Sequence, residues 1–548
     1  MKNKKNYILK YFFKENRWWL ILSLLGMPLS NMCRVSASMY VGQIMNFMKN
    51  PTNLKQFITI ILSASFIMAM YYVTRILLQI LGKYLTEKLA VKTRLDLYEH
   101  LTKVPFIQYE KFSIGNLQSI YRNDISLAAN VVGYGLESVE AISLFILTAI
   151  YMFSIHFNVA LIVCLTCVLA GIFNNYLLHY FKFFRKAERE AVGELTGLIE
   201  STCNGMDTVK TSNSLQYIIS FFVQNKHKYN KNVVNSEIVD TIRDSSYILI
   251  NNVCIFGVMI YLGYLGIKGQ LDIGSILVFI TLTRDIMMPI NVVFMYIPKL
   301  VTCNVAWERI LGVLKIRHDE NVSERENEYQ YDDVSTVEWR DITYAYGNKE
   351  KVFDGYNLIL RKGKSHLLVG ESGSGKSTLL KILAGLYRTD QSVVLVNGTL
   401  ANQAKLYNSI VFVSCDSPLF NMSIYDNLTL GEQRISREQC IELADDLGVA
   451  EWINSLPDGL DTLIRENGNS ISGGQRQILI IMRAILTEAR IVILDEPTSA
   501  LDMMKEEKFK RLIDYIKRHR IVLLTSHRQG MINFCDSVFQ ISTEKITR

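Results

Sequence analysis

Apolar residues run in long stretches through the first three hundred or so positions, whereas the rest of the chain alternates short apolar runs with charged and glycine-containing turns. A bilayer core needs about 20 consecutive apolar residues. Six candidate spans of roughly that length can be drawn, around residues 18–39, 57–81, 141–155, 160–178, 247–267 and 273–293. The third is short as drawn and has room to begin earlier, near Val131. Arg34 interrupts the first run and no small-residue cleavage site follows it, so this is a retained span and not a signal peptide. From about Val334 the pattern becomes that of an α/β domain, and the polar stretch 317–333 reads as a linker. Domains are therefore expected at 1–316 and 334–548.

Charge placement orients the spans. Lys2, Lys4, Lys5, Lys10, Lys14 and Arg17 precede the first, and the long connections after the second and fourth carry Lys83, Lys88, Lys92 and Arg94, then Lys182, Arg185, Lys186 and Arg189. The turn His156-Phe157-Asn158 has no basic residue, and the turn after the fifth span has only Lys268. Positive charge stays on the cytoplasmic side, so both termini, the long loops and the second domain are expected in the cytosol, with the spans in the cytoplasmic membrane. This placement accounts for much of the formal net charge of +7, and no stacked-aromatic basic motif points to nucleic acid. The nine cysteines are scattered. Cys164 and Cys167 lie inside an apolar span, where thiols behave as small hydrophobes.

The chemistry is concentrated in the second domain. Gly370-Glu371-Ser372-Gly373-Ser374-Gly375-Lys376-Ser377, followed by Thr378, fits the phosphate-binding pattern G-x-x-x-x-G-K-[ST]. Glycines let backbone N–H groups close around phosphate oxygens, the lysine adds a point charge, and the hydroxyl holds Mg²⁺. Ile491-Val492-Ile493-Leu494 is a continuous apolar strand ending in Asp495 and Glu496, the pattern of a buried parallel strand delivering charge at its carboxyl end. Loop and acidic strand alone fit any P-loop NTPase. Between them, Ser472-Gly473-Gly474-Gln475 resembles the signature of ATP-binding cassette (ABC) proteins.

That resemblance extends over nearly the whole chain. Pro105-Phe106, Gly115 and Asn123-Asp124 resemble the first intracellular loop of ABC exporters; Glu200-Ser201, Gly205 and Thr208-Val209-Lys210 resemble the second; Ala306-Trp307-Glu308-Arg309 resembles the segment leaving the membrane domain. It implies a half-transporter of the exporter type, similar to bacterial peptide and multidrug exporters: a six-span α-helical membrane domain with long cytosolic helical extensions, followed by an α/β P-loop ATPase domain. It also implies loop tips that press into the ATPase domain, placed near residues 112–116 and 211–216.

The site roles follow from the same resemblance. Tyr346 would stack on adenine, with Tyr344 as its rival. Ser377 and Asp495 would hold Mg²⁺, and Glu496 would orient or deprotonate the attacking water. His527, after the strand Ile521-Val522-Leu523-Leu524, would sense the γ-phosphate, and Asp502 belongs to the loop that follows Glu496. A glycine-rich helix start is an anion site, yet in this fold Ser472 to Gln475 would point away from the chain's own phosphate loop. Hydrolysis then needs two cassettes head to tail, supplied by a second copy or a related half-transporter. Glu466 matches the residue that contacts the partner's loops. One departure stands out: Cys415, where the family has a Gln that ligates Mg²⁺ through its carbonyl oxygen, and a thiol is a poor ligand for a hard cation.

The resulting expectation is ATP-driven export of a peptide or other amphipathic molecule by alternating access. The alternatives are a lipid or multidrug exporter, or a regulatory sensor on the same scaffold. Asn31, Arg34, Arg75, Asn251, Arg284 and Asp285 lie in apolar spans, where polar groups are costly, and so either line a wet cavity or pair with one another. Arg34 and Arg75 are expected on the pathway, meeting an anionic or carbonyl-rich part of the cargo.

Overall fold

The computed structural model describes residues 12–49, 54–212, 214–318, 330–347, 350–371, 373–389, 391–414, 417–464, 471–498 and 503–541. They form two compact units, one of Met1–Tyr98 with Ile114–Lys315 and the other of Glu99–Ser113 with Ile316–Arg548.

The first unit is helical. Its long helices are Arg17–Lys49, Leu54–Thr102, Ile125–Ile155, Phe157–Asn204, Leu215–Ile267 and Ile273–Leu314. Among the described residues, Arg17–Lys49, Leu54–Thr102, Ile114–Ile155 and Ile248–Ile267 are long and apolar enough to cross a membrane, and Phe157–Phe173 is a shorter apolar segment. The 49 residues of Leu54–Thr102 rise about 1.5 Å each, or about 73 Å, more than twice the ~30 Å of a hydrocarbon core. The helix drawn from 141 begins much earlier, at Ile125, after a π-helical turn over Ile120–Asp124. Ala128, Val132 and Leu136 face inward there, but interleaved glycines, Glu137 and Glu140 dilute the local hydropathy.

Phe279, Leu282 and Ile286 of the Ile273–Leu314 helix are buried with Leu144, Met152, Val163 and Leu262 from three other helices. Farther along this helix, the buried Trp307 donates its indole N–H to Ala128 O at 3.0 Å, and Arg309 pairs with Asp124 at 2.8 Å. Where the Arg17–Lys49 and Ile273–Leu314 helices meet, a Cβ on Gly274 would lie 2.4 Å from Gly42 O and 2.5 Å from Asn46 Oδ1. Only glycine permits that backbone approach.

The polar residues of this unit are tied to one another. The Arg34 guanidinium meets Asp285 at 2.7 Å, Arg75 lies 3.4 Å from Glu140, and both arginines reach the Tyr71 hydroxyl, at 3.4 and 3.1 Å. Asn31 Nδ2 donates to Glu140 O and to Ser143 Oγ, both at 2.8 Å. The expectation that Arg34 and Arg75 are offered to an anionic cargo is therefore corrected: each already has a carboxylate. An unpaired cation in a low-dielectric interior is expensive, and a partner on a neighbouring helix removes most of that cost.

The second unit contains two sheets. Strands β1 (Thr336–Ala345), β2 (Lys351–Arg361), β4 (Val393–Val396) and β5 (Thr399–Leu400) form an antiparallel sheet ordered β2-β1-β4-β5. Strands β3 (Ser365–Gly370), β6 (Ile410–Val413), β7 (Ile491–Leu494), β8 (Ile521–Thr525) and β9 (Ser537–Ile541) form a parallel sheet ordered β6-β7-β8-β3-β9. All four residues of β7 and all five of β8 are buried, as expected for parallel strands covered on both faces.

The segment 99–113 belongs to this unit. Its short helix is Phe106–Tyr109, so the tip expected at 112–116 lies several residues earlier. Glu110 accepts from Lys381 Nζ at 2.7 Å and from the Tyr387 hydroxyl at 2.5 Å, and the Lys381 ammonium lies 5.5 Å from the Phe106 ring centroid. The Pro105 ring fixes the backbone at the helix start, which brings the aromatic face forward of the Phe112 chosen from sequence. In the second loop the Met206–Thr211 helix ends in a turn before Leu215, within the stretch expected at 211–216.

Candidate nucleotide site

The parallel sheet brings its functional residues to one edge, because β3, β7 and β8 are neighbours and all end there. Gly370 ends β3, and the loop after it holds Glu371, Gly373, Ser374 and Gly375 and leads into the Lys376–Leu383 helix. Gly375 has φ +96°, and a Cβ there would lie 2.9 Å from Val352 and 3.0 Å from Phe353. Both the left-handed backbone and the crowding exclude a side chain. Lys376 Nζ folds back on its own loop, donating to Gly370 O at 2.7 Å and Glu371 O at 2.9 Å. The Ser374 hydroxyl is buried and has no hydrogen-bond partner among the described residues, an orphan acceptor and donor inside the loop that a phosphate-bearing ligand would satisfy. Ser372 lies outside the described residues.

The carboxylates come from the end of β7. Ser377 Oγ donates to Asp495 Oδ2 at 3.2 Å, and Thr525 Oγ1, at the end of β8, donates to Asp495 Oδ1 at 2.7 Å. That geometry places a hydroxyl and a carboxylate side by side, a donor set of hard oxygens. Glu496 follows with φ +49°, a left-handed conformation that costs a non-glycine residue energy and that the surroundings must hold. Two bonds hold it: Thr525 Oγ1 accepts from Glu496 N at 2.8 Å, and Gln477 Nε2 donates to Glu496 O at 2.9 Å. The bend turns the Glu496 carboxylate toward His527, whose Nε2 is 3.2 Å from Oε1.

Tyr346 and Tyr344 separate clearly. Tyr344 is 6% exposed and stacks on Tyr387 with ring centroids 5.5 Å apart, whereas Tyr346 is 38% exposed and meets both rings edge-on. Burial pushes the Tyr344 phenol up to about 12. The Tyr346 hydroxyl is bonded to Thr378 Oγ1 at 2.8 Å, one residue beyond Ser377. Tyr346 is thus the ring with an open face beside the loop.

Ser472, Gly473, Gly474 and Gln475 sit at the start of the Gly473–Leu486 helix. Ser472 and Gln475 cap each other: Ser472 Oγ accepts from Gln475 N at 3.3 Å and Gln475 Oε1 accepts from Ser472 N at 2.9 Å. Asp502, Cys415 and Glu466 lie outside the described residues. Sequence reasoning missed Thr525, Gln477 and Arg483. Thr525 ends a strand that was recognised, but its grip on both acidic residues depends on β7 and β8 being neighbours. Arg483 donates from both terminal guanidinium nitrogens, Nη1 and Nη2, to Pro418 O, each at 3.2 Å, joining the glycine-rich helix to the loop after β6.

Comparison with known proteins agrees with this geometry. A family model described as ABC transporter matches residues 353–499, and one described as ABC transporter transmembrane region matches residues 20–290. The ATP-dependent lipid A-core flippase of Vibrio cholerae serotype O1 is 27% identical over 473 residues, 84% of this chain and 80% of that protein. That of Legionella pneumophila strain Lens is 28% identical, covering 83% and 77%. Among solved structures, a bacterial Atm1-family ABC exporter with ATP bound superposes with a TM-score of 0.78 at 18% identity, over 97% of this chain and 95% of that one. With a helical membrane unit and a phosphate loop on one polypeptide, this chain belongs to the ABC transporter family, as an exporter-type half-transporter that couples ATP hydrolysis to transport.

Proposed function

We propose that the chain exports a peptide or other amphipathic molecule across the cytoplasmic membrane, working as a homodimer with both termini and the cassettes in the cytosol. The observation that carries the ATPase part is the convergence of Ser377, at the start of the Lys376–Leu383 helix, with Asp495, Glu496 and His527, which follow the adjacent strands β7 and β8. ATP, once bound, supplies the phosphoanhydride whose cleavage drives the cycle. Gly370 to Thr378 cradle its phosphates, Lys376 leaves Gly370 O and Glu371 O to meet them, and Tyr346 stacks on adenine. Ser377 and Asp495 are the residues that would hold Mg²⁺, which would offset charge on the phosphates. Glu496 takes the proton of the attacking water, and His527 fixes the direction of its carboxylate. Ser472 to Gln475 present a helix N-terminus whose dipole favours an anion, and serve the nucleotide of a second copy. That arrangement makes hydrolysis depend on closure of two chains.

A second reading has support from the relatives named as lipid A-core flippases: the cargo is a lipid moved between leaflets. Turnover and transport are tested together in reconstituted vesicles. Glu496→Gln should lower hydrolysis by at least ~10²-fold while ATP still binds, since one proton-handling group is lost and the cradle is intact. Turnover at the wild-type rate would remove Glu496 from the chemistry. Uptake of labelled lipid without uptake of peptide would decide for the second reading.

A further inference from the structure

The Ile125–Ile155 and Ile273–Leu314 helices bring Tyr134 and Tyr296 together, with ring centroids 5.0 Å apart and planes 22° from parallel. The Lys299 ammonium lies 5.4 Å from the Tyr134 centroid and 5.1 Å from that of Tyr296. The Tyr296 hydroxyl donates to Glu137 Oε2. Tyr296 is 9% exposed, whereas Glu137 and Lys299 lie on the surface of this unit. Lys299 is fourteen residues from Asp285 along one helix, about 21 Å, so this constellation is distinct from the Arg34–Asp285 pair.

A stacked aromatic pair and a carboxylate beside an ammonium group are the chemistry of cation recognition. The ring faces attract a cation within about 6 Å, and the attraction grows as water is excluded. Here one of the protein's own side chains occupies that position. Lys299 is a poor permanent tenant: it is exposed, strongly hydrated and carried on a flexible four-carbon stem. Being tethered, it still competes at a high effective concentration, so a bare ammonium ion would not displace it. A cation with apolar bulk would, because Met295 and Ile297 on the same helix are 44% and 45% exposed and offer additional contact. Arg34 and Arg75 are already paired with Asp285 and Glu140, so neither of these two charges is left over for an anionic cargo.

We propose that Tyr134, Glu137 and Tyr296 form a binding site for lipophilic organic cations, with Lys299 as a built-in competitor for it. The proposal rests on the reading of the chain as an exporter of amphipathic molecules and gives that cargo a charge.

The test compares tetraphenylphosphonium with tetraphenylborate, ions of matched shape and opposite charge. Binding to the full-length protein in nanodiscs is measured by equilibrium dialysis against protein-free discs, and ATP turnover is followed in the same samples. Lys299→Gln should tighten phosphonium binding by about tenfold, because the competitor is gone. Glu137→Gln and Tyr296→Leu should each weaken it by about tenfold or more, and Tyr296→Phe, which keeps the ring face, should weaken it less. Tetraphenylborate should not follow this order. Unchanged or weaker phosphonium binding in Lys299→Gln overturns the site, as do variants that shift both ions alike. Normal ATP turnover with no phosphonium binding above empty discs overturns the site and leaves the export reading standing. Binding in the expected order, with neither stimulated turnover nor vesicle uptake, supports the site and overturns the reading that its ligand is exported cargo.

Discussion

Polar side chains do different work in the two units. In the membrane unit they sit between helices and pair across long sequence separations, as Arg34 does with Asp285. In the cassette the neighbouring strands β7 and β8 are buried along their whole length, and the polar groups that matter gather at their ends. The cassette is therefore expected to keep its fold when a polar group at its rim is lost, and the membrane unit to lose stability when one member of a pair is removed. In the cassette the groups placed in the chemistry stand at the ends of buried strands, while the paired groups of the membrane unit tie its helices to one another.

The largest expected effect breaks a membrane pair. Arg34→Gln leaves Asp285 without its cation in a low-dielectric setting and should cost about 3 kcal/mol of stability. Thermal unfolding in nanodiscs checks this, and adding Asp285→Asn to the variant should recover part of the loss. If Arg34→Gln instead unfolds at the wild-type temperature and changes only the response to cargo, the pair is not structural and the contrast between the units fails.

A change in the cassette, at a position outside the described residues, should do the opposite. Cys415→Gln restores a carbonyl oxygen where a thiol is a weak ligand for Mg²⁺, and turnover should rise by ~10-fold, about 1.4 kcal/mol of barrier, with an unchanged unfolding temperature. A rate that stays level or drops would show that the site works with cysteine as it is.

Glu110→Gln sharpens the comparison at a polar contact made by a loop. Burial pushes the Glu110 carboxyl up, but hydrogen bonds from Lys381 and Tyr387 and the Lys381 charge outweigh it, and its pKa is held below the ordinary value. The variant keeps the shape and loses the charge. Cargo-stimulated ATPase should fall severalfold while the basal rate changes less than twofold, roughly the loss of one charge-assisted hydrogen bond at a half-open surface. Equal loss of both rates would mean that the contact holds the cassette together and does not report on the loop.

The smallest effect concerns Asp536, which accepts from Ser365 N at 2.7 Å, Ser365 Oγ at 2.8 Å and Lys517 Nζ at 3.0 Å. Burial raises its pKa, but these bonds and the lysine charge outweigh it and hold it at about 2. A depressed carboxylate contributes stability that is fully present above its ordinary range near 4 and is lost as pH falls toward 2. Asp536→Asn should lower the cassette's unfolding temperature modestly at pH 7, and the gap to wild type should close between about pH 4 and pH 2. A gap that persists undiminished in acid would assign the role of Asp536 to packing.

These contrasts also explain what was legible in the sequence. The phosphate loop, the acidic strand end and the glycine-rich helix start are each specified within about ten residues, so their chemistry could be read before their positions were known. The partner of Arg34 could not: Asp285 lies 251 residues away, and helix periodicity does not say which faces meet. The early start of the Ile125–Ile155 helix was hidden because a hydropathy window averages over its glycines and glutamates, although only its inner face needs to be apolar. The loop contact escaped for the same reason as Thr525, since Glu110 meets Lys381 and Tyr387 across 271 and 277 residues. Choosing Tyr346 over Tyr344 needed only which ring keeps an open face, a property of strand register and not of residue type.

The inclusion of 99–113 in the second unit has a consequence for how such a protein can be divided. A cut through the linker, the obvious boundary on a gene map, would yield an ATPase fragment missing part of its own surface, with Tyr387 and Lys381 uncovered and Phe106 left behind on the other piece. Swapping cassettes between relatives would meet the same obstacle. The transferable module is a discontinuous set of residues, and a working chimera would have to carry the 99–113 loop together with the cassette to which it is fitted.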